Sequence, residues 1–362
     1  MNLYKRVLST FTVVVFIFVL AACGNRAQLE EGKINIFTSF YPLYDFASQI
    51  GGEHVHVVNL VPAGVEPHDW EPKSRELADI RNAELFIYNG AGFESWVHDF
   101  LNSLNANEKV AVLEVTEGLQ LIKAQPGQDD GHGHGEAGHK EEEHGHAQGE
   151  TEHKEDEHGH AEGETEHKEG EHGHEHDAAE AAHEDEHEGF DPHTWLSPLM
   201  AQQMAGKIKD KLIEIDPAHK ADYEANFNKL NAKLGQLHQQ YKETITAAPS
   251  KEIVVSHQAF GYIARDYGLT QMPIMGLAPD AEPTAQDMKR IAEFAREHQV
   301  KVIYFEELVS DKLAKTLANE IGIGTAVLNP LEGLTEEQQK AGETYVSIME
   351  KNLESLKKGL YP

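Results

Sequence analysis

A single cysteine, Cys23, stands in 362 residues, which excludes an internal disulfide and any zinc cluster built on thiolates. Basic residues are scarce: 31 Lys and Arg face 62 Asp and Glu, a formal net charge of −31 with His neutral. Phosphate recognition needs a basic surface, so nucleic-acid binding is excluded. The apolar stretch from Val7 to Ala22 is too short and poorly flanked for a transmembrane helix. No G-x-S-x-G occurs, so the nucleophile elbow of a serine hydrolase is missing. Apolar residues make up 40%, enough for a folded protein. The length exceeds what one ordinary core fills, and two domains are expected.

What is abundant is concentrated. Residues 129–188 hold 23 acids, 3 Lys and 14 of the 23 His, a net −20, while the remainder carries 39 acids against 28 bases. A 14-residue repeat runs through this segment, with Glu143-His144-Gly145-His146 recurring at Glu157-His158-Gly159-His160 and at Glu171-His172-Gly173-His174. Too few apolar side chains are present to offset the ordering entropy, so residues 123–189 are expected to form a disordered insertion.

At the start of the chain, Lys5 and Arg6 precede the apolar stretch, which ends Leu20-Ala21-Ala22-Cys23. This resembles a bacterial lipobox. Residues 1–22 are then a signal peptide, Cys23 is the lipidated (palmitate-type) residue, and 23–32 form a tether. Diacylglycerol on Cys23 would supply the two acyl chains that stable anchoring needs. The expected location is extracytoplasmic, on the outer face of the cytoplasmic membrane.

Strands alternating with short helices imply parallel βαβ units and an α/β fold. Strands are predicted at Ile34–Phe37, His54–Val61, Glu84–Tyr88 and Lys109–Leu113, with helices at Pro42–Ile50, Ser74–Asn82 and Phe93–Leu104. After the insertion, Ser197 is expected to cap a helix of about 17 residues. Pro217 opens a long helix to about Thr246, a rigid connector of about 45 Å. Alternation restarts at Lys251 with four more strands, near Glu252–Ser256, Met272–Met275, Val302–Phe305 and Thr325–Leu328. Helices fall between them at Ala259–Tyr267, Thr284–His298 and Asp311–Ile321, and a last helix is predicted from Thr335 to about Lys358. The expected organisation is a first α/β lobe (33–122 with 190–215), a connector (216–248) and a second α/β lobe (249–362).

Three histidines outside the insertion share a pattern. His68 and His193 each follow a proline, which restricts the backbone, and His257 ends a strand. Ligands of open α/β sheets gather at such strand ends. Glu332 also follows a strand, and Glu306 and Glu307 compete with it as the acidic member. Three neutral imidazoles and one carboxylate suit four-coordinate Zn²⁺. A lone histidine at a strand end is nonetheless more often a satisfied polar residue. His54, His56, His98, His219, His238 and His298 read as structural or solvated.

Taken in order, several motifs resemble the zinc-binding lipoproteins that serve metal-uptake ABC transporters, the cluster A-I solute-binding proteins of the ZnuA/AdcA type. They are Phe37-Thr38-Ser39-Phe40-Tyr41-Pro42, Val65-Glu66-Pro67-His68-Asp69-Trp70-Glu71-Pro72, Asp191-Pro192-His193-Thr194-Trp195-Leu196, Ser256-His257-Gln258-Ala259-Phe260 and Asn329-Pro330-Leu331-Glu332-Gly333-Leu334. The resemblance implies two (β/α) lobes joined by a rigid helix, with metal in the cleft. It also implies His68, His193, His257 and Glu332 as ligands, a monomer, and an ABC permease and ATPase complex as partner. Manganese-type relatives carry an acid where His257 stands, and a third imidazole moves the preference from Mn²⁺ to Zn²⁺. Some relatives are also described as adhesins.

The insertion's histidines (His132, His134, His139, His144, His146, His153, His158, His160, His167, His172, His174, His176, His183 and His187) read as a weak zinc collector, or else as a solvated spacer. His183-Glu184-Asp185-Glu186-His187 matches H-E-x-x-H, but without the apolar-backed helix that the motif requires. Two further hypotheses stand beside zinc delivery. One is a zinc metallohydrolase with Glu66 or Asp191 as base. The other is a metal buffer in which the His tract is the whole function.

Overall fold

The computed structural model describes residues 29–105, 108–124, 189–279 and 283–361. Cys23, the apolar leader, residues 125–188 of the His-rich insertion, and Asp280 and Glu282, acids that read as loop residues, lie outside them; at the described ends of the insertion Lys123 bridges Phe190 and the Ala124 N–H donates to the Gly189 carbonyl. Among the described residues no helix is long and apolar enough to cross a membrane.

Two four-stranded sheets organise the described residues. The first is built from β1 (Ile34–Thr38), β2 (Val55–Asn59), β3 (Leu85–Tyr88) and β4 (Ala111–Glu114), in the order β2-β1-β3-β4. The second uses β5 (Glu252–Val255), β6 (Thr270–Pro273), β7 (Val302–Phe305) and β8 (Gly324–Val327), in the order β6-β5-β7-β8. Every strand pairing is parallel. Such strands are covered on both faces, which is why Leu-Phe-Ile-Tyr at β3 and Val-Ile-Tyr-Phe at β7 are continuous apolar runs rather than alternating ones. In both sheets the order reverses between the first and third strands in sequence, and a crevice opens there at their carboxyl ends.

Helices fill the connections: α1 (Tyr41–Gly51), α2 (Ser74–Arg81), α3 (Val97–Asn102), α4 (Pro198–Ile215), α5 (Lys220–Ala247), α6 (Gly261–Tyr267), α7 (Ala285–Glu297), α8 (Lys312–Ile321), α9 (Glu336–Ala341) and α10 (Tyr345–Leu360). The connector α5 has 28 residues, about 42 Å of helix. Its buried stripe of Tyr223, Leu230, Leu234, Leu237, Tyr241 and Ile245 enters an apolar cluster that includes residues of both lobes. Tyr241 donates its hydroxyl to the Met349 carbonyl at 2.8 Å, tying the connector to α10.

Local chemistry moved several predicted boundaries. The helix expected at Phe93–Leu104 begins only at Val97, because the Glu94 carboxylate turns back to accept the backbone N–H groups of Asn89 and Gly90. Ser197 stands at the N-cap of α4 as expected, but its side chain makes no cap bond, because its hydroxyl donates to Asp266 at 2.5 Å. The single terminal helix is two helices. Gly342 ends α9 at φ 70°, a left-handed conformation that glycine adopts without Cβ strain, and Thr344 caps α10 afresh.

Candidate metal centre

His68, His193, His257 and Glu332 lie far apart in sequence and meet in the cleft between the two sheets, with one ligating atom from each within 4.8 Å of the others. The Oε1 atom of Glu332 is 3.4 Å from Nε2 of His68 and 3.3 Å from Nε2 of both His193 and His257. The Nε2 atoms of His193 and His257 are themselves 3.3 Å apart. A tetrahedron with metal–ligand bonds of roughly 2.05 Å has edges of about 3.3 Å. Four of the six edges here have that length, so the donor set fits a tetrahedral ion.

Buried polar atoms of this kind ordinarily find partners. His68 Nε2 and Glu332 Oε1 have none in hydrogen-bond geometry among the described residues, and both point at the common centre. His193 and His257 are fully buried and Glu332 is 2% exposed, whereas the His68 side chain is 11% exposed. His68 is therefore the member of the cluster nearest the cleft mouth.

Each ligand is aimed by a neighbour. The Oδ1 atom of Asp191 accepts both the backbone N–H of His193 at 3.0 Å and its Nδ1–H at 2.8 Å. Glu306 accepts Nδ1–H of His257 at 2.6 Å and is itself held by the Ser256 hydroxyl. Both contacts assign the proton to Nδ1 and leave Nε2 free to ligate, the arrangement that orients metal-bound imidazoles. Glu66 accepts the backbone N–H of His68 through both oxygens at 3.1 Å. Glu332 follows Leu331, a buried leucine at φ 56°, whose N–H is caught by Asn329 Oδ1 at 2.6 Å. Asn352 on α10 grips Asn329 through two further bonds of 2.7 and 2.8 Å. A strained non-glycine residue costs about 1–3 kcal/mol, and here the strain turns the carboxylate into the cleft.

The scaffold beneath is equally tied. Glu94, half-buried, accepts from Ser39 as well as from Asn89 and Gly90, and loss of solvation pushes its carboxyl up to about 7. The Asn89 amide then donates to the Pro192 carbonyl at 3.0 Å, fixing the residue before His193.

Electrostatics follow from three carboxylates around two buried imidazoles. Burial disfavours the charged form of His193, but Asp191 and Glu332 outweigh it and raise its pKa. Burial likewise opposes protonation of His257, while Glu306 and Glu332 raise it well above the ordinary value. Without metal, both imidazoles thus hold a proton more tightly than usual. That contribution to stability is fully present below the unfolded value and is lost as pH rises through the raised one.

The competing acids occupy other places. Glu306 pairs with His257 and is outside the cluster, and Glu307 accepts from Asn329 and Gln338, each at 2.6 Å. Glu66 and Asp191, the candidate bases of a hydrolase, are occupied in holding ligands. Other described histidines have partners elsewhere: His54 meets Asp222 and stacks on His219, His238 meets Tyr267, and His98 meets Asn102. The role of Glu306 was not found in the sequence. It emerges from the pairing of β5 with β7, where Val255 faces Tyr304 and, two residues on, His257 reaches Glu306.

A family model described as zinc-uptake complex component A, periplasmic, matches residues 36–359. The chain is 38% identical over 363 residues to the high-affinity zinc uptake system protein ZnuA of Bacillus subtilis, covering 99% of each. It is 39% identical over 338 residues to the zinc-binding lipoprotein AdcA of Streptococcus pneumoniae, covering 93% of this chain and 58% of that protein. Among solved structures, the Zn(II)-bound ZnuA-like domain of Streptococcus pneumoniae AdcA superposes with a TM-score of 0.68 at 35% identity, covering 91% of this chain and 100% of that one.

Proposed function

The chain belongs to the zinc-uptake complex component A family, and on that premise we propose that His68, His193, His257 and Glu332 together hold one Zn²⁺ for delivery to an ABC permease. It is the solute-binding component of a zinc uptake system and not an enzyme. The tetrahedral spacing of the four donor atoms carries the residue assignment. Four protein ligands leave no open position for an activated water, which suits carriage rather than catalysis. Three imidazoles favour Zn²⁺ over Mn²⁺.

Further parts of the proposal rest on the sequence. Cys23 carries the lipid that holds the protein outside the cytoplasmic membrane, and the mature protein acts as a monomer beside its permease and ATPase. The 14 imidazoles of residues 129–188 collect zinc weakly and raise its concentration near the cleft.

Calorimetry on protein lacking residues 129–188 is expected to show one tight zinc site. The loss should be confined to the weak equivalents seen with the full chain, whereas a pure buffer would lose nearly all binding. In that background, tight binding by a His68→Ala, His257→Ala double variant would falsify the assignment.

Acid is expected to weaken zinc binding. A ligating imidazole must be neutral, so zinc displaces the proton that His193 and His257 hold unusually well. The affinity should therefore begin to fall above the ordinary imidazole value of about 6.5 as pH is lowered, by up to about a hundredfold per pH unit where two protons are displaced. Titrations in buffers of different ionisation enthalpy count those protons. An affinity independent of pH between 5.5 and 7.5 would contradict this account.

A further inference from the structure

Asp191 is fully buried, and its two carboxylate oxygens do different work. Oδ1 takes both N–H groups of His193. Oδ2 finds no hydrogen-bond donor among the described residues and lies directly over Gly261, the first residue of α6. A Cβ placed on Gly261 would overlap Oδ2, with Gln271 Nε2 at 3.4 Å and Ile122 Cδ1 at 3.5 Å closing the remaining space. Gly261 is not among the residues at positive φ, so its backbone would accept any side chain. Glycine is required there by the space that Asp191 fills and not by conformation.

The next residue tightens the same contact. Tyr262 donates its hydroxyl to the Asp191 carbonyl at 2.6 Å and accepts the Ile122 N–H at 3.1 Å. The first two residues of α6 therefore hold Asp191 from the second lobe, one through a missing side chain and the other through a hydroxyl. We infer that Gly261 is a positioning residue for zinc binding. By leaving room for the Asp191 carboxylate it sets the direction of the His193 imidazole, so the seating of α6 against the segment 191–193 and the aim of that ligand are one contact.

This inference rests on the proposed ligand set, and the test separates the two. Zinc dissociation constants are measured by competition with a chromophoric chelator for the unaltered protein lacking residues 129–188 and for its Gly261→Ala, Asp191→Ala, Gly261→Ala/Asp191→Ala and His193→Ala variants. Visible absorption of bound Co²⁺ reports the coordination geometry. Loss of a ligand-orienting partner typically weakens binding about 10- to 100-fold, and both Gly261→Ala and Asp191→Ala are expected in that range, with an altered cobalt spectrum. The double variant should bind within about twofold of Asp191→Ala, because the overlap disappears with the carboxylate. Equal weakening by Gly261→Ala in both backgrounds, or none in the unaltered one, would overturn the inference. Should Gly261→Ala not be recovered folded, Tyr262→Phe removes only the hydroxyl. An unchanged affinity and cobalt spectrum in that variant would likewise overturn it. Tight zinc binding by His193→Ala would instead remove the ligand assignment itself.

Discussion

Alanine at His193 is expected to lower zinc affinity by about 10²- to 10³-fold. A structural four-ligand zinc site is worth roughly 10–16 kcal/mol near neutral pH, so an even share per ligand is about 2.5–4 kcal/mol. His193 should reach that share because it is fully buried and no water can readily take its place. The change also strands Asp191, whose Oδ1 loses the side-chain N–H it accepts, and removes one of the three imidazoles around Glu332. His68, at the cleft mouth, is the ligand that water can best replace, so His68→Ala should cost less than His193→Ala. Competition titration against a chelator of known affinity measures both. A His193→Ala protein within tenfold of the unaltered one would show that the metal is held elsewhere.

Trp195→Ala is expected to destabilise the metal-free fold by about 3–5 kcal/mol, in the range of large aromatic truncations in a core. The ring is wholly buried and packs on Phe40, Phe93 and His193 at centroid distances of 4.6, 5.0 and 5.2 Å. Its Nε1–H donates to the Pro330 carbonyl at 2.8 Å, two residues before Glu332, and its own carbonyl accepts the Tyr345 hydroxyl at 2.5 Å. Truncation thus opens a cavity behind one ligand and frees the loop carrying another. At about 2–4 °C per kcal/mol for a protein approaching this size, the melting temperature should fall by about 6–20 °C. Trp195→Phe keeps most of the packing and should lose only the cost of an unpartnered buried carbonyl, about 1–3 kcal/mol. Melts are run with chelator present, since bound zinc would add stability of its own. A shift of less than 3 °C for Trp195→Ala would contradict the packing role.

Much of the fold was legible because its signals are local. Continuous apolar runs at Leu85–Tyr88 and Val302–Phe305 identify strands covered on both faces, and Thr284 and Thr335, where helices were expected to begin, cap them. Errors occurred where a side chain left its expected task for a distant partner. The Ser197 hydroxyl turned to Asp266, 69 residues on; nearer in sequence, Glu94 folded back on Asn89 and Gly90, and the helix starts only at Val97. The broken terminal helix hinged on Gly342, whose left-handed turn a periodicity reading passes over.

The sequence by itself determined the chemistry on offer: two imidazoles that each follow a proline, a third at a strand end, a carboxylate after another strand, a lone cysteine that excludes a thiolate cluster, and most of the negative charge within one His-rich insertion. Residue type and short spacing decide those points, because they depend only on what each side chain can bind. The tertiary structure decided which carboxylate joins the Nε2 atoms of the imidazoles and which stands behind them. Glu306 and Glu332 both follow strands, but the order β6-β5-β7-β8 sets Glu306 against the Nδ1 side of His257, while the left-handed turn at Leu331 carries Glu332 to Nε2. Strand order and a strained turn are fixed by contacts between residues tens to hundreds of positions apart. A pattern read along the chain does not contain them.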